Sequence, residues 1–206
     1  MKKRIFIFSF LILAILGVII FGNPVQFVVK GILKLTGDYA TPQYETSESI
    51  LSKVRSQGLY YDRLFKLKDY SDFHELQEKK LTTVPFVQIY NGKKKLLKIA
   101  SGSECSWQLM NFFSKKDTAN LVAGDSLMYD FVMNRLTPLD IKSTQDTFNY
   151  YILAGWANYI PKLSDSLFIQ TNKMKKIMED KVCFSYINFD LQDTWKSEMD
   201  SLDHLN

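Results

Sequence analysis

The stretch NYYILAGWANYIPKLSDSL, residues 149–167, starts as an apolar run, bends at Gly155-Trp156-Ala157 and then takes up helical spacing. TFNYYILAGW (147–156) predicts a buried strand. Residues 161–179 predict a helix with Leu163, Leu167, Met174 and Met178 on its core face. In α/β proteins ligands gather at the carboxyl ends of strands, so this strand-to-helix corner is the first place to look for chemistry. It offers no cysteine, histidine or acid before Asp165.

The segments around the corner set the fold class. KVCFSYINFD (181–190) predicts a strand with Val182, Phe184, Tyr186 and Ile187 alternating, followed by a polar tail. Upstream, TTVPFVQIYNGKKKLLKIA (82–100) predicts a hairpin, because Asn91-Gly92 between two β-rich runs tolerates the positive φ of a tight turn. Pro85 cannot donate to a ladder and is expected at a strand end. Thr46 or Ser47 caps a helix carrying Ile50, Leu51 and Val54 that ends at Gly58, and 60–70 is strand-like. Ser71-Asp72 opens a short helix with Phe73 and Leu76. Ser103 or Glu104 opens another, with Trp107, Met110 and Phe113 directed inward. A helix fits 125–136 through Leu127, Met128, Phe131, Val132 and Leu136, with Pro138 as its stop. Strands alternating with helices predict an α/β fold.

Composition narrows the function. The chain has 206 residues, 46% hydrophobic and 14% aromatic, with a net charge of +4. A packed core is affordable, and lysines scattered among nearly as many acids argue against nucleic acid as a partner. Lys2, Lys3 and Arg4 precede IFIFSFLILAILGVIIF, residues 5–21, whose only polar side chain is Ser9. The run lies at the short end of a bilayer span, and no small-x-small cleavage site follows it. We therefore read 1–22 as an uncleaved signal-anchor, in preference to a cleaved signal. Residues 23–44 read as a membrane-proximal stalk and 45–206 as the α/β domain. Basic residues before the span put the bulk of this single-pass chain outside the cytoplasm, which is the periplasmic side if the chain is bacterial. The two cysteines, Cys105 and Cys183, form no Cys-x-x-Cys, and the histidines are only His74 and His204. Neither a zinc ribbon nor a Ser-His-Asp triad can be assembled from these, and no metal or cofactor is expected. Whether the two cysteines pair is open at this level.

Two stretches together resemble one family. Residues 150–190 are similar to the strand, active-site corner, long helix and following strand of thioredoxin-like proteins. Their usual corner reads Trp-Ala-x-Trp-Cys-Gly-Pro-Cys-Lys. Here it reads Trp156-Ala157-Asn158-Tyr159-Ile160-Pro161-Lys162-Leu163-Ser164, and Ile-Asn-Phe-Asp at 187–190 looks like the family's Leu-Asn-Ile-Asp. Residues 83–98, TVPFVQIYNGKKKLLK, resemble the family's cis-proline, strand and hairpin unit. Two departures stand out. Ile160 and Leu163 replace both reactive cysteines, and the proline unit precedes the corner instead of following it. The resemblance implies a permuted thioredoxin-like mixed sheet flanked by helices, with the two stretches as neighbours. It also implies a groove lined by Trp156, Tyr159, Ile160, Pro161 and Pro85 that accepts an extended peptide.

Thiol exchange needs a thiolate at a helix N-terminus, and hydrocarbon cannot supply one. The expectation is a redox-inactive binding module for a protein or peptide in the cell envelope. One rival is a thiol-disulfide oxidoreductase working through Cys105, which sits near a helix start beside Glu104. Another is a structural protein whose groove is filled by its own side chains, with Trp156 and Tyr159 merely covering the core. The KKK at 93–95 and KMKK at 173–176 read as a solvated turn and a solvated helix face, with a weaker claim on anionic lipid or an acidic partner.

Overall fold

The computed structural model describes residues 39–114, 126–145, 147–178 and 181–203, with side chains to residue 199. The expected membrane span of 1–22, and the stalk as far as residue 38, lie outside the described residues. No helix among those described is long and apolar enough to cross a membrane.

The strands are β1 (Tyr44–Glu45), β2 (Arg63–Leu67), β3 (Phe86–Asn91), β4 (Leu96–Ser101), β5 (Leu136–Ile141), β6 (Tyr150–Trp156), β7 (Val182–Asn188) and β8 (Leu191–Gln192). The helices are α1 (Ser47–Ser56), α2 (Tyr70–Glu78), α3 (Cys105–Ser114), α4 (Leu127–Met133), α5 (Pro161–Met178) and α6 (Lys196–Asp203). Six strands form one mixed sheet in the order β4-β3-β6-β7-β2-β5, and β1 pairs with β8 in a separate two-stranded ribbon. β6, β7 and β2 run parallel, while β3 is antiparallel to β6 and β5 to β2. The chain is thus a mixed α/β protein.

Side chains alternate across the sheet. Val87, Ile89, Ile152, Ala154, Phe184 and Tyr186 share one cluster with Ile50 and Val54 of α1, Leu109 and Phe112 of α3, and Leu167, Phe168 and Met174 of α5. On the other face Tyr90 meets Tyr129 of α4 edge-on at 5.1 Å, and Phe86 meets Phe189 at 5.4 Å. With both faces covered, every residue of β7 is buried. The strand expected for 181–190 is present, and its all-buried pattern is that of a central parallel strand.

Several local readings hold. Thr46 caps α1 in a capping box with Ser49, and Gly58 follows with φ +58°. α2 begins at Tyr70, one residue before the expected Ser71.

Others are corrected. The hairpin bends through residues 92–95, not through a two-residue turn. The Asn91 side chain accepts the N–H groups of Lys93 and Lys95 at 2.9 and 3.0 Å, and Lys94 takes the left-handed conformation. Gly92 has no positive φ; a Cβ there would lie 2.9 Å from the Phe148 carbonyl oxygen, so close approach is what requires glycine. Trp107 does not point inward but is 64% exposed, because Cys105, Ser106, Leu109 and Phe112 form the buried stripe of α3. Leu127 is likewise exposed on α4. Pro138 does not stop a helix: it sits within edge strand β5 opposite Phe65, beside a register shift, where a missing N–H is tolerated. Residues 191–203 of the polar tail form β8, a short 3-10 turn and α6, and Trp195 is 1% exposed.

Candidate functional site: the corner between β6 and α5

β6 ends at Trp156 and, after the four intervening residues 157–160, Pro161 opens α5, its fixed φ suited to a first helical position. The Ser164 hydroxyl donates to the Ala157 carbonyl at 2.8 Å and accepts the Ala157 N–H at 3.3 Å, tying the bend to the first helical turn. Beneath it lies β3. Phe86 pairs with Gly155, and a Cβ on Gly155 would come within 2.1 Å of the Phe86 ring, so that close approach needs glycine. The Val84–Pro85 peptide that leads into β3 is cis.

The expected groove residues divide into two groups. Trp156 is fully buried and packs edge-on against Phe168 at 5.1 Å; its indole nitrogen has no hydrogen-bond partner among the described residues. Pro85 and Ile160 are buried as well. These three support the corner from below, so the wide aromatic groove expected from the sequence contracts to half-buried Asn158, Tyr159 and Pro161. The reading in which aromatic residues cover the core describes Trp156.

Ile160 lies in the bend and Leu163 in the first turn of α5, and neither side chain can ionise or attack sulfur. Cys105 and Cys183 are both free and buried, and burial pushes each thiol above its ordinary pKa. Cys105 belongs to the cluster beneath α3, whereas Cys183 alternates with Val182 and Phe184 and faces the other side of the sheet. The sheet lies between them.

Residues that sequence reading did not single out bind the corner together. Both oxygens of Asp190 accept the Asn158 backbone N–H, at 2.8 and 2.9 Å, and Asn188 Nδ2 donates to the same carboxylate at 2.6 Å. The Asn158 side chain donates to Glu45 at 3.0 Å, so two carboxylates grip one residue. Gln192 donates to the Asp190 carbonyl at 2.7 Å, and the β1–β8 pairing sets Glu45 beside Gln192. Asp190 is 2% exposed, and burial pushes its carboxyl up to about 6. The N–H donors of Asn158, Asn188 and Tyr159 pull the other way, while the Glu45 charge adds to the rise. The only advance signal was Asp190 closing the Ile-Asn-Phe-Asp stretch; the charge of Glu45, 145 positions away, had none.

The cluster can hold or release a proton near neutral pH. No group of three or more histidine, cysteine or acidic side chains suited to a metal ion occurs among the described residues. Comparison with family models, curated proteins and solved structures finds no match to this chain.

Proposed function

We propose that the chain is a membrane-anchored, extracytoplasmic domain of thioredoxin-like type that lacks the catalytic cysteines and binds protein or peptide. The observation that carries this reading is the antiparallel pairing of β3 with β6, Phe86 opposite Gly155. It makes neighbours of the proline segment and the tryptophan corner, two stretches some sixty residues apart whose adjacency the resemblance requires. Ile160 and Leu163, where the family carries sulfur, support binding without thiol exchange. The burial and raised pKa of Cys105 weigh against the rival oxidoreductase. A partner would contact Asn158, Tyr159 and Pro161, held rigid from below by Trp156 and Pro85.

The test uses the full chain in mild detergent. It should not accelerate insulin reduction by dithiothreitol, and neither cysteine should react with a thiol probe below pH 8 until the protein unfolds. Reduced, carboxymethylated lactalbumin serves as an extended-chain probe, whose binding Y159S should weaken. Insulin turnover by the chain, or lactalbumin binding indifferent to Y159S, counts against the proposal.

A further inference from the structure

Four of the exposed large apolar side chains stand out: Leu127 and Ile177 at 68%, Trp107 at 64% and Ile169 at 55%. Three of them, Trp107, Ile169 and Ile177, lie in one layer, since α3 and α5 cover the same face of the sheet and touch through Ser106 and Ser166 at 3.4 Å. Single exposed apolar residues are ordinary, but a shared face is not.

Charge on this layer has one sign where the apolar residues stand. At 100° per residue, Ile169, Lys173, Lys176 and Ile177 fall on one narrow stripe of α5, opposite the buried stripe of Leu167, Phe168, Thr171 and Met174. All four are exposed. Lys175, in the same basic run, turns inward and pairs with Asp62 at 3.2 Å, so only Lys173 and Lys176 face out. α3 contains no charged residue. Of the bordering acids, Glu104 accepts from Gln108 at 2.9 Å, and Asp165 is half-buried with one oxygen turned away from solvent.

We propose that the outward face of α3 and α5 rests on an anionic lipid bilayer, with Trp107, Ile169 and Ile177 entering the interface and Lys173 and Lys176 meeting lipid phosphates. Tryptophan suits the headgroup boundary, and lysines beside apolar residues are the make-up of interfacial helices. Two lysines with long apolar stems fit a diffuse negative surface better than a single point charge. This inference uses the membrane location proposed above but not the thioredoxin-like likeness.

The molecule carries its own probe. Trp156 and Trp195 are buried, at 0% and 1% exposure, so lipid-borne bromine reaches Trp107 selectively. The full chain is reconstituted in brominated phosphatidylcholine vesicles with and without phosphatidylglycerol, and flotation is measured in parallel. Quenching should appear with the anionic lipid, vanish in W107F and fall sharply in K173E/K176E, while near-ultraviolet circular dichroism stays native. Equal quenching in neutral and anionic vesicles overturns the proposal, as does quenching that persists in K173E/K176E. So does unquenched Trp107 in a chain that cross-links to a second copy through position 169. A K173E/K176E chain that still floats but is no longer quenched shows the anchor and the docking face to be separate. A wild-type chain that does not float removes the membrane reading itself.

Discussion

Two buried carboxylates mark opposite ends of α5, and they are stabilised differently. Near the C-terminal end, Asp62 accepts Lys175 Nζ at 3.2 and 3.3 Å and the Phe184 N–H at 2.8 Å, an ion pair with both members under 10% exposed. At the N-terminal end, Asp190 has neutral N–H donors and a second carboxylate nearby, with no cation in contact among the described residues. A buried charge needs either a counter-ion or enough donors to replace water. The Asp62 end has the counter-ion and ties α5 to β7. The Asp190 end has donors alone, and desolvation wins over them, which leaves its carboxyl titrating near neutrality. One end is thus a fixed structural lock, and the other stays responsive to protons beside the surface proposed for binding.

The sharpest way to break this contrast is at the lock. K175M keeps the apolar stem but strands the Asp62 charge in the core, and should cost about 3–5 kcal/mol in denaturant unfolding. Pairing it with D62N should recover most of that loss; a double variant as unstable as the single one refutes the lock.

At the other end the effect runs through pH. The folded Asp190 carboxyl sits at about 6, above its ordinary value of 3.8, so the folded state holds the proton more tightly. Its contribution is fully present below the unfolded value and is lost as pH rises through about 6. Stability should therefore grow by about 1 kcal/mol from pH 7.5 to 5. D190N should flatten that slope, and an unchanged slope would assign it elsewhere.

The smallest effect sharpens the comparison. E45Q removes the neighbouring negative charge but keeps an oxygen for Asn158, so the Asp190 midpoint should move down, as read by carboxyl carbon NMR. No movement would mean that Glu45 acts only as a hydrogen-bond acceptor.

Much of the scaffold was legible in local sequence. The Thr46 cap, the strand ending in Trp156, the helix from Pro161 and the two runs flanking Asn91 all depend on neighbours within a few residues. The failures share one cause. Apolar spacing on α3 fits two faces, one of them carrying Trp107, and only the position of the sheet selects Cys105 and Leu109. A strand containing proline is acceptable only at an edge, and edges belong to the whole sheet, so local sequence does not reveal Pro138 as a strand residue. Lys175 looked like one lysine of a solvated run until Asp62 came within reach from 113 positions away. At the candidate site, the bend and its aliphatic residues were visible in advance, but the burial of Trp156 and Pro85 and the grip of Asp190 and Glu45 on Asn158 were not.

The sequence by itself determined where elements begin and bend, and that hydrocarbon occupies the corner at Ile160 and Leu163, because caps, turns, periodicity and side-chain chemistry are local properties. The tertiary structure alone decided which of two helix faces is buried, which carboxylate receives a cation and which is left to titrate. Those outcomes depend on desolvation and on contacts between residues distant in the chain, and nothing in a linear order of residues encodes either directly.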